Sequence, residues 1–295
     1  MTVRLGTNPI AWSNDDLRTL GGDTPLETCL SEARAAGFTG IEMGHKFPSE
    51  PNALLAVLAR HDLALVSGWY STHLLQRDAT AELAAMRHHL DLLRACGCQV
   101  AIVAETSNAI HGDRNVPLSR RPILADADWP QFAHRLTALA EAARTEGMIL
   151  AYHHHMGTVV QNEAEIDRLM ALTGDSLTLL LDTGHATFAC ADPVALARRH
   201  RSRITHVHCK DIRADVMATC QTADRGFLDS VVAGVFTVPG DGCVDFPAVL
   251  AELPDDQGWL VVEAEQDPTR AHPLTYARMG HANLLKAARQ TGLLS

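Results

Sequence analysis

The sequence predicts a (β/α)8 barrel built as a single domain over residues 1–295. Three observations carry that prediction. Eight short apolar runs, most of them ending in polar residues, alternate with longer stretches at helical spacing. No internal repeat, low-complexity tract or Pro/Gly/Ser linker divides the chain. Four consecutive runs end in ionisable residues of one parity, as the C-terminal mouth of a barrel requires. A doubly wound open sheet is the rival arrangement. It places a Gly-rich phosphate turn after its first strand, whereas the first strand here ends in "TNPIAW".

The expected strands are 3–9, 39–44, 63–70, 98–105, 148–155, 177–182, 204–210 and 259–265. After the first, Thr24-Pro25-Leu26-Glu27 reads as an N-cap, a proline at the first helical position and a capping-box glutamate; Leu26, Cys29, Leu30 and Ala33 continue the helix as one apolar stripe. Helical spacing recurs over 50–61, 80–96 and 130–146. Cys96-Gly97-Cys98 sits where the second of these ends and is given no function, and His88-His89 are expected on its solvent face. Asn162 with Glu165, and Asp192-Pro193, open two further helices, and 245–253 and 273–290 complete the series. Pro239-Gly240-Asp241-Gly242 does not open a helix directly and lacks a following Lys-Ser/Thr, so it reads as a tight loop near the site rather than a phosphate cradle.

The composition is that of an ordinary globular protein, with 46% hydrophobic and 20% charged residues. A formal charge of −10 leaves no general phosphate-binding surface, so nucleic acid is not expected as a partner. Seven cysteines without a CxxC pair suit a reducing compartment. The N-terminus lacks the basic and apolar regions of a secretory signal, and no apolar stretch approaches a membrane span, so a cytoplasmic protein without a membrane partner is expected. A homo-oligomer is compatible with the sequence.

Strand parity sorts the polar residues. Ala151, His153 and His155 share one face of the fifth strand, with Tyr152 and His154 on the other. Asp182 ends the sixth strand, His206, His208 and Lys210 align on the seventh, Glu263 and Glu265 on the eighth, and Glu42 lies between Ile41 and Met43 on the second. Imidazole and carboxylate donors gathered from several strands suit a divalent first-row metal with a position open to substrate. The expected ligands are His153, Asp182, His208 and Glu263. His154 should face the helices as a replaceable bystander. In Asp182-Thr183-Gly184-His185 the glycine either serves the strand-to-loop turn or helps place His185 over the site.

The strings "LDTGH", "HVHCKD", "VPGDG" and "VVEAE" resemble, in this order, the xylose-isomerase-like barrel superfamily. With the N-terminal "GTNPIAWSNDDLRTLGGDTPLETCLSEARAAGFTGIEMGHKFP" and the central "YHHHMGTVVQ", the resemblance narrows to the myo-inosose-2 dehydratase (2-keto-myo-inositol dehydratase) family and runs essentially end to end. It implies a hydro-lyase that removes water from 2-keto-myo-inositol, giving a trihydroxycyclohexane-1,2-dione in inositol catabolism, with Co²⁺ or Mn²⁺ as cofactor. It also implies metal ligation by Asp182, His208 and Glu263. Where the superfamily's isomerases typically offer a glutamate, this chain has His153.

Such a dehydration needs a base for the proton beside the ketone, stabilisation of the enolate, and an acid for the departing hydroxyl. His155, Lys210, Glu265 and His185 are the candidate proton-transfer groups, with Lys210 and His155 foremost. Glu42, Asn8, Trp12 and Asp211 are the candidate contacts to a small ketocyclitol. An isomerase or epimerase sharing the enolisation step is the nearest rival, ahead of a repair nuclease or a non-catalytic sugar-binding or metal-storage protein.

Overall fold

A computed structural model describes residues 3–254 and 258–294. Its strands are β1 (Arg4–Thr7), β2 (Gly40–Met43), β3 (Ala64–Thr72), β4 (Val100–Glu105), β5 (Ile149–His153), β6 (Leu177–Asp182), β7 (Ile204–Cys209), β8 (Asp211–Ile212), β9 (Phe236–Thr237) and β10 (Trp259–Val262). Strands β1 to β7 and β10 pair in parallel and close into a barrel, with β10 between β7 and β1. Strands β8 and β9 form a separate antiparallel pair. The predicted barrel is therefore the observed one, and its eight strands match the eight expected runs with shortened ends, except that β3 runs two residues further, to Thr72.

The helices are α1 (Leu26–Ala36), α2 (Pro51–Arg60), α3 (Ala79–Ala95), α4 (Trp129–Thr145), α5 (Glu163–Leu172), α6 (Thr183–Phe188), α7 (Pro193–His200), α8 (Ala214–Thr222), α9 (Phe227–Ala233), α10 (Phe246–Ala251) and α11 (Pro273–Gln290). Their starts mostly follow the sequence signals. Asn162 Oδ1 accepts from the Glu165 N–H, and Glu165 Oε2 accepts from the Asn162 N–H, the reciprocal pair of a capping box. Asp192 caps α7 by accepting from the Val194 N–H, with Pro193 at the first position. Thr24 does not cap α1: its N-cap position is held by Pro25, which has no side chain to accept a bond. His89 is not on the solvent face of α3. It is half-buried, with Nε2 3.2 Å from the Gly68 carbonyl and its ring against Tyr70.

The barrel interior is apolar at its N-terminal end and polar at its C-terminal end. Val66, Trp259 and Val261 pack into a plug, with the Arg4 guanidinium 3.9 Å from the Trp259 ring centre. Gly40 makes this possible, because a Cβ there would lie 2.5 Å from the indole. Ile102, Ala151 and Leu180 form the next layer. Among the described residues no helix is long and apolar enough to cross a membrane.

Two segments depart from a simple strand-helix repeat. A long loop, 106–128, joins β4 to α4, and an insertion of β8, α8, α9 and β9 lies between β7 and α10. Asp211 organises the insertion. Its Oδ1 accepts from the Ile212 and Val244 N–H groups and its Oδ2 from those of Gly240 and Gly242, each at 2.9–3.0 Å. A buried carboxylate holding four backbone donors is a loop anchor, which corrects the expectation of a substrate contact. Trp12 is likewise removed from the substrate list: it is buried in the main core, and its Nε1–H donates to Glu32 Oε2 at 2.7 Å.

This packing can be tested at two residues. Asp211→Ala removes the shared acceptor of four backbone donors and should cost about 2–4 kcal/mol of unfolding free energy in urea titrations; a variant of parental stability with a raised KM would return Asp211 to the substrate. Burial pulls the His89 imidazole below its ordinary value, so the native state holds it neutral while the unfolded chain protonates at about pH 6.5. Its contribution is complete above that pH and is lost as pH falls through it. His89→Gln should therefore flatten the loss of stability between about pH 7.5 and pH 5.5, and an unchanged slope would refute the assignment.

Candidate active site at the barrel mouth

Asp182 is the hinge of the site. It ends β6 and caps α6 at once: Oδ1 accepts from the His185 N–H at 2.7 Å, which turns Oδ2 towards the barrel axis. Lys210, directly after β7, brings its Nζ to 2.7 Å from Glu263 Oε1, 2.7 Å from Glu265 Oε2, 3.4 Å from Asp182 Oδ2 and 3.1 Å from His185 Nε2. Its stem passes over Gly184, where a Cβ would meet Lys210 Cγ at 2.5 Å. Gly184 has no positive φ and lies inside α6, so the glycine of "LDTGH" is required by the lysine rather than by a turn.

The ring nitrogens have assigned partners. His153 Nδ1–H donates to the His154 carbonyl at 2.6 Å, leaving Nε2 as a free acceptor 3.6 Å from Asp182 Oδ2. His155 Nδ1–H donates to the Met156 carbonyl at 2.8 Å, which frees its Nε2 in the same way. His185 Nδ1 lies 3.3 Å from the Met156 N–H, and its Nε2 lies 3.1 Å from the Lys210 ammonium and 3.7 Å from Glu265 Oε1. His208 Nδ1 lies 2.8 Å from Glu263 Oε2 and 3.5 Å from Asp182 Oδ2. His154 is no bystander: it is fully buried, and its Nε2 accepts from the Asp182 N–H at 3.3 Å.

Burial opposes every charge here, and the pairing decides which charges survive. For Lys210 desolvation works against the ammonium, but Asp182, Glu263 and Glu265 outweigh it and hold the group well above its ordinary value. Desolvation likewise opposes the Asp182 carboxylate, which Lys210 and His208 hold far below the usual range. His208 is driven up by Glu263 and Glu42 against the pull of burial. Burial, followed by neighbouring positive charge, keeps His153, His155 and His185 well below the ordinary imidazole value, hence neutral. Glu265 moves the other way: burial pushes it up to about 7.

The donor set fits a divalent cation. Among the described residues Asp182 Oδ2 and His208 Nδ1 are buried without an aligned hydrogen-bond partner; Asp182 Oδ2 adjoins the free Nε2 of His153, and His208 Nδ1 adjoins the carboxylates of Asp182 and Glu263. Donor atoms of His153, Asp182, Glu263 and His185 also lie within 4.8 Å of one another. The His185 Nε2 lies against the Lys210 ammonium at 3.1 Å, which makes it the poorer ligand, so His208 completes the set that these atoms could form.

Above this cluster lies a cavity of about 90 Å³. Of the residues singled out from sequence, His153, His155, His208, Glu263, Glu265, Glu42 and Asn8 line it, whereas Asp182, Lys210 and His185 stand behind them. The sequence reading missed Asp16, His111 and Trp69. Asp16 follows an Asx turn in which Asn14 Oδ1 accepts from the Asp16 and Leu17 N–H groups, and its carboxylate, which burial pushes up, faces His111 Nε2 at 3.8 Å. His111 in turn packs on the His155 ring, with centroids 5.1 Å apart. Asp16 and His111 sit in loops without periodicity, so only the Asn14 turn signal could have pointed to them, whereas Trp69 lies within β3, where strand alternation was the available signal. The insertion supplies the dry wall: Phe227 packs on His155 and His185, and the Phe236 ring lies 4.8 Å from Lys210 Nζ.

A closed parallel barrel with acid, base and metal-donor groups converging at its C-terminal mouth defines a class of barrel enzymes. Residues 30–287 match the family described as xylose isomerase-like TIM barrel. The rhizopine catabolism protein MocC of Rhizobium meliloti is 50% identical over 294 residues, covering 99% of this chain and 90% of that protein. Inosose dehydratase 1 of Bacillus cereus is 42% identical over 280 residues, 94% of each chain. The solved structure of the IolI protein with a binding zinc atom superposes with a TM-score of 0.67 at 14% identity, covering 98% of both chains, a likeness of fold. The chain belongs to the xylose isomerase-like TIM barrel family, in the branch that holds MocC and the inosose dehydratases.

Gly184→Ala tests the packing at the centre of the site. In an ordinary helix it would stabilise by about 0.5–1 kcal/mol; here the buried Lys210 stem must shift, and a loss of about 1–3 kcal/mol is expected in urea unfolding. A gain in stability would refute the constraint.

Proposed function

We propose that this chain is a metal-dependent hydro-lyase that removes water from 2-keto-myo-inositol to give a trihydroxycyclohexane-1,2-dione, acting in the cytoplasm within inositol catabolism. The observation that carries the reading is the convergence, on one small cavity, of the His155 imidazole and the Glu265 carboxyl group beside a metal-donor set, with burial disfavouring the charged form of both. The 42% identity to an inosose dehydratase supports the substrate class.

His153, Asp182, His208 and Glu263 would hold the divalent ion, with Co²⁺ or Mn²⁺ the proposed identity. When bound, it supplies a positive charge that stabilises the enolate oxygen. The proton chemistry belongs to the chain. His155 Nε2, neutral and left as the free ring acceptor by the bond that Nδ1–H makes to the Met156 carbonyl, takes the proton beside the ketone. Glu265, which burial keeps protonated up to about pH 7, delivers a proton to the departing hydroxyl, and water leaves. The enol already carries the oxygen of the second carbonyl, and its tautomerisation completes the dione.

Proton balance is restored within the same cluster. The reaction leaves His155 protonated and Glu265 ionised, and His185 stands between them: its ring centroid is 3.9 Å from that of His155 and its Nε2 is 3.7 Å from Glu265 Oε1. Lys210 stays charged and acts through Glu265, favouring its ionisation as the proton departs. Asp16 and His111 border the cavity where ring hydroxyls would lie.

Metal-loaded protein and 2-keto-myo-inositol in D₂O, followed by NMR and ultraviolet absorbance, test the reading. Loss of water with appearance of a conjugated product is expected; deuterium exchange without water loss would make the chain an isomerase or epimerase. Chelation should abolish turnover and Mn²⁺ or Co²⁺ restore it, while full activity of the metal-stripped protein would overturn the proposal. His155→Gln should lower kcat by about 10²–10⁴-fold. A related ketocyclitol turned over faster than 2-keto-myo-inositol would correct the substrate alone.

A further inference from the structure

Glu42 and His206 have no part in the proton chemistry, yet both are almost wholly buried inside the barrel. Glu42 Oε1 receives two ring nitrogens, His206 Nε2 at 2.7 Å and His208 Nε2 at 3.2 Å. Its Oε2 accepts from Asn8 Nδ2 at 2.7 Å. Asn8 is fixed in turn, because its Oδ1 accepts from the Ile10 N–H and its Nδ2 also reaches Glu263 Oε2 at 3.1 Å. Both carboxylate oxygens of Glu42 therefore have protein partners, although the group borders the cavity.

His206 lies two residues before His208 on β7, one layer deeper, with ring centroids 5.5 Å apart. It borders the cavity at the opposite, N-terminal end of the barrel, out of reach of a substrate at the mouth. Among the described residues the hydrogen-bond partner of its ring is Glu42. A polar ring in that position is costly unless it serves the group it pairs with.

We infer that Glu42, braced from below by His206 and from the side by Asn8, is a positioning residue that fixes His208 for metal ligation. With Nε2–H committed to Glu42, the His208 ring presents Nδ1 towards Asp182 Oδ2 and Glu263 Oε2, where it is buried without an aligned partner. A carboxylate on the far nitrogen fixes both the tautomer and the orientation of a metal-binding histidine. The inference rests on the metal reading above and replaces the expectation that Glu42 contacts a substrate hydroxyl. It assigns the same part to Asn8, whose amide bridges two carboxylates.

Mn²⁺ titrations of metal-free protein, with free Mn²⁺ counted by electron paramagnetic resonance, test it without turnover. Glu42→Gln should weaken Mn²⁺ binding by about 10–100-fold, while KM for the cyclitol at saturating metal stays near the parent's. His206→Gln, which alters a group remote from the substrate, should weaken Mn²⁺ binding in the same direction. Parental Mn²⁺ affinity with a raised KM in Glu42→Gln would restore the substrate contact. A lower melting temperature with parental Mn²⁺ affinity in His206→Gln would make that ring a packing element. Either result overturns the clamp while leaving the metal reading intact, whereas a parent that binds no Mn²⁺, Co²⁺ or Zn²⁺ removes both.

Discussion

The structure turns on one buried cation. Lys210 Nζ sits among Asp182, Glu263 and Glu265, and neither the ammonium nor the carboxylates would be tolerable in that interior alone. Each member fixes others. Gly184 is a glycine because the lysine stem needs the volume, and Asp182 must cap α6 with one oxygen to aim the other. The insertion of α8, α9, β8 and β9 covers the lysine with Phe236, so water is excluded where the pairing is strongest. Electrostatic interactions in such a site gain strength from that exclusion, which is what a catalytic cluster requires.

The barrel resolves the conflict between core and site along its axis. Parallel strands buried on both faces must be apolar where they meet the helices, and the interior is free to change character with depth. Here Trp259, Val66 and Val261 close the N-terminal end, an Ile102, Ala151 and Leu180 layer follows, and the ionisable groups occupy the C-terminal layers. The pair of Glu42 and His206 lies between these regimes and carries polarity downward by one residue pair on β7.

Much of this was legible because strand parity is a local property. Alternation alone placed His153, Asp182, His208, Glu263 and Glu265 in one interior, and the eight strands followed from apolar runs of the right length. Parity assigns a face but not a partner, and there the reading failed. Asp211 shares the end of β7 with Lys210, yet its carboxylate is consumed by four N–H groups, three of them from a loop some thirty residues on. Trp12 lies near Asn8 in sequence but turns into the core beside Glu32. Asp16 and His111 come from loops whose course depends on tertiary contacts, and the insertion's short helices carry too little periodicity to be read from sequence.

The three consecutive histidines at the end of β5 show why such partners decide function. Within the strand, His153 uses one nitrogen to bond the backbone of its neighbour and keeps the other for a metal. Past the strand's end the alternation no longer holds, and His154 turns to the Asp182 N–H, so a residue expected to be replaceable ties β5 to the residue that aims the principal carboxylate. His155 repeats the bond of His153 two residues further on, which fixes its tautomer and frees Nε2 towards His111 and Trp69. Ligand, brace and base thus share a backbone whose own carbonyls set two of the three tautomers. That arrangement makes the triplet a unit: changing the middle ring moves Asp182, and with it the geometry that the outer two depend on.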